Sequence, residues 1–597
     1  MRQTLAALTI AIAAASPALA DLTPDEVAQE LKSVPRFLAV KTERRGRDIV
    51  LSDISLTAQT ANHTWTITLD SLTIADLGDG RVDLRPSDRF SFLRVEAAAG
   101  GETEKSEATL TVPGAHAILS GEIGRIWIDA VAPQARGTLV GRIEATGAET
   151  GRFEATLTGL ALRTEAPAAS DGLVAAHLAA ESGDMRLRVP DAPGPAAVTL
   201  DLAGLAVSAR LSPKLLEDRN RTPGGTLLTD LRAEAFEVEV TTNDPAAGEV
   251  VFLVSLAGLA ANGQFDVAAE PPGGSSPRVQ GKGGMTVPAM SFRVSTAGAV
   301  PTGIPSLASG SSSGRLSDFS ASGAFVVPEN ADALDAPDAI REGLAVDMDL
   351  AVGASDGSGE YILPGGKRLE VSNISEPGRF TFALAESGIR FGGEGGKVAF
   401  TSRLDGAEAP YSGGYDGVAF SFAMPLVRSA SPRPLEFLLR LSGASASDSV
   451  WDLFDPEATI PRAPATLAVD IAGTARPKDD LVSENGGEFP LAPDRVDLRE
   501  LTLRLGGAEI AGTGSVSFDN SGDVPRPDGK ATLTYRGVYG LLGKLGSLGL
   551  LPPDVSMGIR GGLGFIARPV GDDDLVSDFE FRPDGTITAN GLELPLR

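Results

Sequence analysis

From about residue 48 the chain alternates apolar and polar positions with a period of two, the signature of a half-buried strand. Trp65, Ile67 and Leu69 point one way with threonines between them, and Phe236, Val238 and Val240 alternate with Glu237 and Glu239. Leu344, Val346, Met348 and Leu350 repeat the pattern. So do Phe380, Phe382 and Leu384; Leu435 to Leu441; Leu467, Val469 and Ile471; and Leu501, Leu503 and Leu505. Turn signals at Gly78–Gly80, Asn243–Pro245, Pro527–Gly529 and Pro583–Gly585 punctuate these runs. One apolar and one polar face per strand predicts antiparallel sheet with one side covered. The expected fold is therefore mainly β: elongated, curved antiparallel sheet forming a groove or flattened barrel, with a few short helices.

Two stretches break the alternation strongly. The first is Asp21 to Pro35, where Thr23 is a candidate N-cap, Pro24 takes the first helical position and Glu26 completes a capping box. Leu22 can staple onto Val27, the apolar face is Val27, Leu31 and Val34, and Pro35 ends the helix. The second lies near the C-terminus, where Val538, Leu541, Leu542, Leu545 and Leu548 fall on one helical face. Gly540, Gly543 and Gly546 line another side and let a backbone approach, Gly549 is a C′ residue, and Pro552–Pro553 stop the helix. A helix over 538–549 is expected to pack on the concave apolar face of the sheet. It either fills core there or gates an apolar channel, and for the gate the candidate residues are Val538, Leu541, Leu542, Leu545, Leu548, Leu550 and Leu551. Shorter helices are expected near Ser212–Asn220 and Ala331–Leu344, and a helical turn capped by Asp448 over Asp448–Phe454.

The motif Leu-x-Gly-Leu-Ala occurs at Leu157–Ala161, Leu202–Ala206 and Leu256–Ala260. Its spacing is too uneven for a strict solenoid, so it reads either as loosely repeated hairpins or as chance. The division expected along the chain is a signal peptide over 1–20, a β-rich region over 21–300, a Gly/Ser/Pro linker or loop over 301–320, and a second β-rich region over 321–597. The first twenty residues carry Arg2, an apolar run from Leu5 to Ala15, Pro17, and the small-x-small site Ala18-Leu19-Ala20. That pattern predicts export, with cleavage after Ala20 and a periplasmic location. The apolar run is short for a span, which needs about 20 residues, and no transmembrane helix is expected in the mature chain.

Composition narrows the chemistry. Lys and Arg number 52 against 79 Asp and Glu, a formal net charge of -27 and a pI near 4.6. Nucleic-acid binding needs the opposite balance, and so does charge-driven adhesion to anionic membranes. The 70 glycines and 40 prolines suit many turns, and with aromatics at 5% the core must be largely aliphatic. No cysteine is present, which excludes disulfides and thiolate chemistry. The three histidines, His63, His116 and His177, are too far apart in sequence for a helical zinc motif. Gly310–Gly314 and Gly353–Gly357 match a nucleophile-elbow spacing without its strand–helix context. Gly392–Lys397 lacks the first glycine and the Ser/Thr of a phosphate loop and reads as a hairpin turn. Gly571–Asp574 reads as a solvated acidic turn rather than a calcium loop. A membrane barrel would want aromatic girdles that eight Trp and Tyr residues hardly supply. No catalytic residue, metal or cofactor is expected.

The segment from Leu435 to Arg597 resembles the domain of unknown function 2125 family, secreted proteins of alphaproteobacteria. The resemblance rests on Asp448-Ser-Val-Trp-Asp-Leu-Phe-Asp-Pro456, Ala508-Glu-Ile-Ala-Gly-Thr-Gly514, Gly549-Leu-Leu-Pro552 and Asp584-Gly-Thr-Ile-Thr-Ala-Asn-Gly591. After Met557-Gly558 the chain reads Ile559 to Phe565 where family members often carry a Met-rich run. The same end is similar to AsmA-type envelope proteins, which implies an apolar β-groove concerned with lipid. Two functions stay open: a groove that binds or passes lipid or another apolar ligand, and a scaffold of the cell envelope whose sheet is filled by its own side chains. An open apolar trough would distinguish the first from the second.

Overall fold

In a computed structural model of the protein, residues 22–594 are described, apart from 35, 60–62, 98–102, 123–124, 166–172, 190–195, 213–223, 245–247, 270–275, 299–308, 482–490 and 523–524. Strand makes up about 68% and helix about 9%, so the chain is mainly β with few short helices. Among the described residues these helices are α1 (Pro24–Ser33), α2 (Ala336–Arg341), α3 (Asp448–Trp451), α4 (Val538–Ser547) and α5 (Pro553–Ile566). The chain divides into two compact units, Met1–Pro277 with Gly283–Ser311, and Arg278–Lys282 with Ser312–Arg597. Signal-site residues Ala18 and Ala20 lie outside the described residues, as do 301–308 of the expected linker and nearly all of the helix expected over 212–220. The rest of the linker, from Ser309, is not loop: it opens the strand Ser309–Val327. Small side chains do not prevent a strand when partners supply the hydrogen bonds.

In unit 1 the strands follow one another as antiparallel neighbours from Phe37–Arg45 to Gly248–Val267, and their register sorts side chains by face. Residues directly opposite in an antiparallel pair point to the same side. One cross-strand row runs Phe37, Leu56, Ile67, Phe92, Ala108, Leu139, Phe153, Leu187, Val198, Val240, Phe252. All eleven are apolar. The adjacent row on the other face runs Ser55, Thr68, Ser91, Thr109, Thr138, Glu154, Arg186, Thr199, Glu239. The alternation read along each strand thus adds up across the sheet.

The three Leu-x-Gly-Leu-Ala echoes have a structural reason. Gly159, Gly204 and Gly258 have φ of 59°, 59° and 73°, a left-handed conformation that glycine adopts without a Cβ penalty. Gly159 faces Pro133 and Glu181, Gly204 faces Glu181 and Glu234, and Gly258 faces Glu234 and lies against Pro288, with the strand register unchanged on either side; a Cβ at Gly159 or Gly204 would overlap the glutamate's Cγ. The result is a line of left-handed glycines in alternate strands. Alternation changes phase there: Phe153, Ala155 and Leu157 precede Gly159, and Leu160 and Leu162 follow it. A one-residue slip would otherwise turn half of each strand's apolar set to the polar side. The two leucines, three apart instead of two, are the trace of that change of phase.

Unit 2 carries an equivalent line built differently. Ala345–Val352 continues into Ser355–Ile362, Arg368–Ser375 into Gly378–Ala385, Gly388–Gly395 into Val398–Leu404, and Tyr411–Tyr415 into Gly417–Met424. Each run is interrupted by one or two residues, and the interruptions bond across to neighbouring chain: the Glu376 N–H donates to the carbonyl of Lys397, in the next interruption (2.8 Å), and the Asp416 N–H to that of Ser442, in the strand Arg433–Ala446 (2.9 Å). Gly392–Lys397 is therefore strand and bend, not hairpin turn. A Cβ at Gly393 would come within 2.8 Å of the Phe420 ring, so that glycine makes room for an aromatic neighbour. Pro527–Gly529 likewise lies inside the strand Arg526–Arg536, paired with Val516–Phe518, and the turn falls earlier, near Ser521.

Among the described residues each unit has a helix-covered hydrophobic cluster. In unit 1, α1 lays Val27 and Ala28, with Leu22, onto Ile49, Leu51, Ile54, Ile74 and Val82. The expected capping box is present: the Glu26 N–H donates to Thr23 Oγ1 and the Thr23 N–H to Glu26 Oε2. In unit 2, α4 lays Val538 and Leu542 onto Ala508, Tyr535 and Leu575.

Candidate functional site

Away from those two cores the apolar faces are not closed over. In unit 2 the row Met348, Phe382, Phe391, Phe422, Phe437, Ile471, Leu498 crosses seven strands on one face. Phe391 and Phe422 sit with ring centroids 5.2 Å apart, and Phe380 and Phe420 of the next row at 6.4 Å. Met348 is 45% exposed and Phe437 42%. In unit 1 Phe252, in the long apolar row, is also 42% exposed. Among the described residues the helix-covered clusters lie at α1 in unit 1 and at α4 in unit 2, and these rows lie outside them. Contiguous exposed apolar surface is where a candidate interaction site is sought.

The candidate gate residues fall on α4 and the turn after it. Val538 and Leu542 are buried; Leu541, Leu545, Leu548 and Leu551 are half-buried; Leu550 is exposed. The structure therefore brings Val538, Leu541, Leu542 and Leu551 into the core under α4 and leaves Leu550 outside. Gly549, at φ 71°, closes α4 with paired bonds from its own N–H to the Gly546 carbonyl (3.1 Å) and from the Leu550 N–H to that of Leu545 (2.9 Å), a Schellman ending. The glycine side of α4 admits side chains rather than backbone: a Cβ at Gly540 would meet Asp573 Oδ2 and one at Gly543 the Arg560 guanidinium, while Gly546 faces open space.

Pro552–Pro553 do not end the helical region. Pro553 is the first residue of α5, where a missing N–H costs nothing. Leu563 and Ala567 reach the core under α4, and Arg560 donates to the Tyr539 carbonyl (2.8 Å) and lies over its ring. Val555, Met557, Ile559 and Phe565 remain exposed. No residue of α5 is fully buried. The two helices form a hairpin whose second arm turns apolar side chains outward.

The hairpin is held from outside its own sequence. Asp573 accepts from the Tyr539 N–H (3.1 Å) and the Gly540 N–H (2.8 Å) at the start of α4, placing negative charge at a helix N-terminus. The acidic turn is thus a remote cap. Asn590, at φ 49°, donates to the last carbonyl of α5, that of Ile566 (2.9 Å), and accepts from the Asp578 N–H. Gly506 and Gly507, both with positive φ, make a two-residue hairpin wedged beneath α4. A Cβ at Gly506 would lie 2.8 Å from both Ile460 and Leu541.

Ile460 belongs to the segment carrying Trp451 and Phe454. Here α3 begins after Ser447, not with Asp448 as its cap; the Asp448 carboxylate instead takes a bond from Arg462 (2.6 Å). Arg462 also binds Asp452 (2.6 Å) and the Asp455 carbonyl. Asp455 is fully buried and accepts from the Ile460 N–H (2.7 Å) and the Thr459 N–H (2.9 Å). Burial alone would raise its carboxyl; the Ile460 and Thr459 bonds and nearby Arg462 hold it below the ordinary value. Asp448–Pro456, Ala508–Gly514, Gly549–Pro552 and Asp584–Gly591 therefore lie around one structure, the seat of the α4–α5 hairpin.

Among the described residues no cluster of three or more His, Asp or Glu side chains is arranged to hold a metal ion, and no helix is long and apolar enough to cross a membrane. Residues 385–594 match the family model described as "Uncharacterized protein conserved in bacteria (DUF2125)". The resemblance read from the sequence is borne out over that segment, which begins earlier than Leu435 and contains all four motif segments. No curated protein matches the chain.

Proposed function

We propose that the protein is an exported, periplasmic binding protein that holds lipid or another apolar molecule against its apolar sheet faces, and does so without catalysis. The observation that carries this reading is the exposure of Met348 and Phe437 in a cross-strand row, Met348 to Leu498, whose other members are only partly buried, beside a helix-covered core in the same unit. A bound alkyl chain would remove that surface from water at about 25 cal/mol per Å², with no polar partner needed. The α4–α5 hairpin, through Val538, Leu541, Leu542, Leu545, Leu548 and Leu551, would border the face in unit 2 and gate that end.

The covered cores favour the alternative at their own positions: a sheet filled by its own side chains, serving as an envelope scaffold. Native mass spectrometry with lipid extraction, on protein purified from the periplasm, separates the two. Co-purifying lipid that is lost in a folded Met348→Lys, Phe437→Lys variant supports the ligand reading. A clean apo mass for the unaltered protein decides for the scaffold.

A further inference from the structure

Unit 1 leaves one long sheet edge open. The strand Phe37–Arg45 pairs along its length with Asp48–Gln59 on one side and, among the described residues, with no strand on the other. Natural sheets blunt such edges with short strands, charges or bulges, because unpaired N–H and C=O groups template further pairing. Unit 2 does so: among the described residues, its strand Asp574–Phe581 pairs with Arg526–Arg536 and otherwise only with Arg568–Pro569 and Ile587–Ala589, two and three residues long. The unit 1 edge is nine residues long. Its first half is apolar on both faces: Phe37 and Ala39 pack toward the α1 core, while Leu38 and Val40 stand 65% and 73% exposed on the other side.

The charge around this edge is opposite to that of the molecule. Residues 36–47 hold five basic side chains, Arg36, Lys41, Arg44, Arg45 and Arg47, against a single acid, Glu43, in a chain of net charge -27. Lys41, Arg44, Arg45 and Arg47 do have acidic neighbours, Asp53, Asp25, Glu43 and Asp76. The basic side chains of those pairs are largely exposed, and exposed pairs of this kind are weak and exchangeable.

We propose that the Phe37–Arg45 edge docks an extended, acidic segment of a partner protein by strand addition. The partner's backbone would complete the ladder, its apolar residues would cover Leu38 and Val40, and its carboxylates would meet Lys41, Arg44 and Arg45. This is the peptide mode in which main-chain bonds give affinity and alternate side chains give specificity. A second copy is a poorer fit, because it would bring the same basic strand against itself.

The test uses the full chain and two synthetic twelve-residue peptides. One alternates Val and Thr in its first half and carries Glu in its second; the other has Lys in place of every Glu. Binding is read by fluorescence anisotropy at 50 and 300 mM salt, and the site by hydrogen exchange. The expected result is binding of the acidic peptide, at least tenfold weaker for the lysine peptide and weakened by salt, with new protection confined to 37–45. Leu38→Lys with Val40→Lys should abolish binding while circular dichroism and Tm stay unchanged. No binding of the acidic peptide, equal binding of both peptides, or protection away from 37–45 overturns the proposal. So does a concentration-dependent dimer lost in the same double variant, which would assign the edge to a second copy. Lipid occupancy of the sheet faces is read separately and is unaffected by any of these outcomes.

Discussion

Helix α1 in unit 1 and helix α4 in unit 2 do the same job by different means. Each lays an apolar stripe on the apolar face of an antiparallel sheet and creates a helix-covered core. The first carries its own cap, Thr23 and Glu26, three residues apart. The second starts from Gly537 at φ 66°, with no cap from its own side chain there, and borrows the carboxylate of Asp573, which bonds to Tyr539 and Gly540. The bend lines differ in the same way. Unit 1 repeats a single device, a left-handed glycine in alternate strands; unit 2 interrupts successive strands with varied residues. Physically equivalent structure can therefore be written locally, where it leaves a motif, or through distant partners, where it does not.

The largest expected effects come from emptying the two cores. Leu51→Ala in unit 1 and Leu542→Ala in unit 2 should each cost about 2–5 kcal/mol. If the units are energetically separate, hydrogen exchange will rise in the mutated unit and leave the other unchanged; a matching rise in both would merge them into one cooperative body. Next come the left-handed glycines of unit 1. Gly204→Ala places a Cβ against Glu234 and asks alanine for a left-handed conformation, at a cost of about 1–3 kcal/mol. A denaturant midpoint no lower than that of the unaltered protein would remove Gly204 from the bend.

The caps sharpen the comparison at smaller scale. Asp573→Ala should cost about 1–2 kcal/mol, and Thr23→Ala about 1 kcal/mol, although only the second residue looks like a cap in sequence. Loss of protection at Tyr539 and Gly540 in the first variant is the signal to measure. Gly562→Ala on the outer side of α5, where a Cβ meets nothing within 4 Å, should instead stabilise by about 1 kcal/mol; a fall in Tm would mean that the helix needs the glycine for another reason.

Acid should act with opposite sign at two carboxylates, Asp455 in unit 2 and Asp201 in unit 1. Asp455 in unit 2 has its carboxyl held down in the fold. The stability it contributes is present above the ordinary carboxylate value and is lost as pH falls through the lower folded value. In unit 1, partial desolvation raises Asp201, as do its hydrogen bond with Asp184 and the charges of Asp184 and Glu237. These three carboxylates lie directly opposite one another on neighbouring strands. The fold binds that proton more tightly than the unfolded chain, so unit 1 loses the benefit as pH rises through the raised value. Asp201→Asn should flatten the dependence in unit 1, and Asp455→Asn that in unit 2. A slope unchanged by either substitution would place the pH response elsewhere.

Much of this was legible because it is local. Alternation marked the strands, the Thr23–Glu26 box started α1, and Gly549 ended α4 where a left-handed residue was needed. The Leu-x-Gly-Leu-Ala echo was visible as a pattern, but its cause was not, since Glu181 and Glu234 meet Gly159 and Gly204 only through strand register. Helix α5 was missed because a proline pair reads as a stop, yet Pro553 can equally open a helix. Asp573 and Asn590 gave no sign of being caps, although an Asn followed by Gly, as at Asn590–Gly591, does favour left-handed backbone.

By itself the sequence determined the two faces. A period of two assigns each side chain to one side of a strand, and that assignment survives whatever the strands pair with. Only the tertiary structure decided which parts of the apolar face are covered, because coverage depends on where two amphipathic helices land and on which distant carboxylate or amide holds them there. Phe437 and Leu542 are both apolar and belong to the same unit. One is left open to water and the other is buried because α4 lies over the last strands of the sheet and not over the Phe437 row.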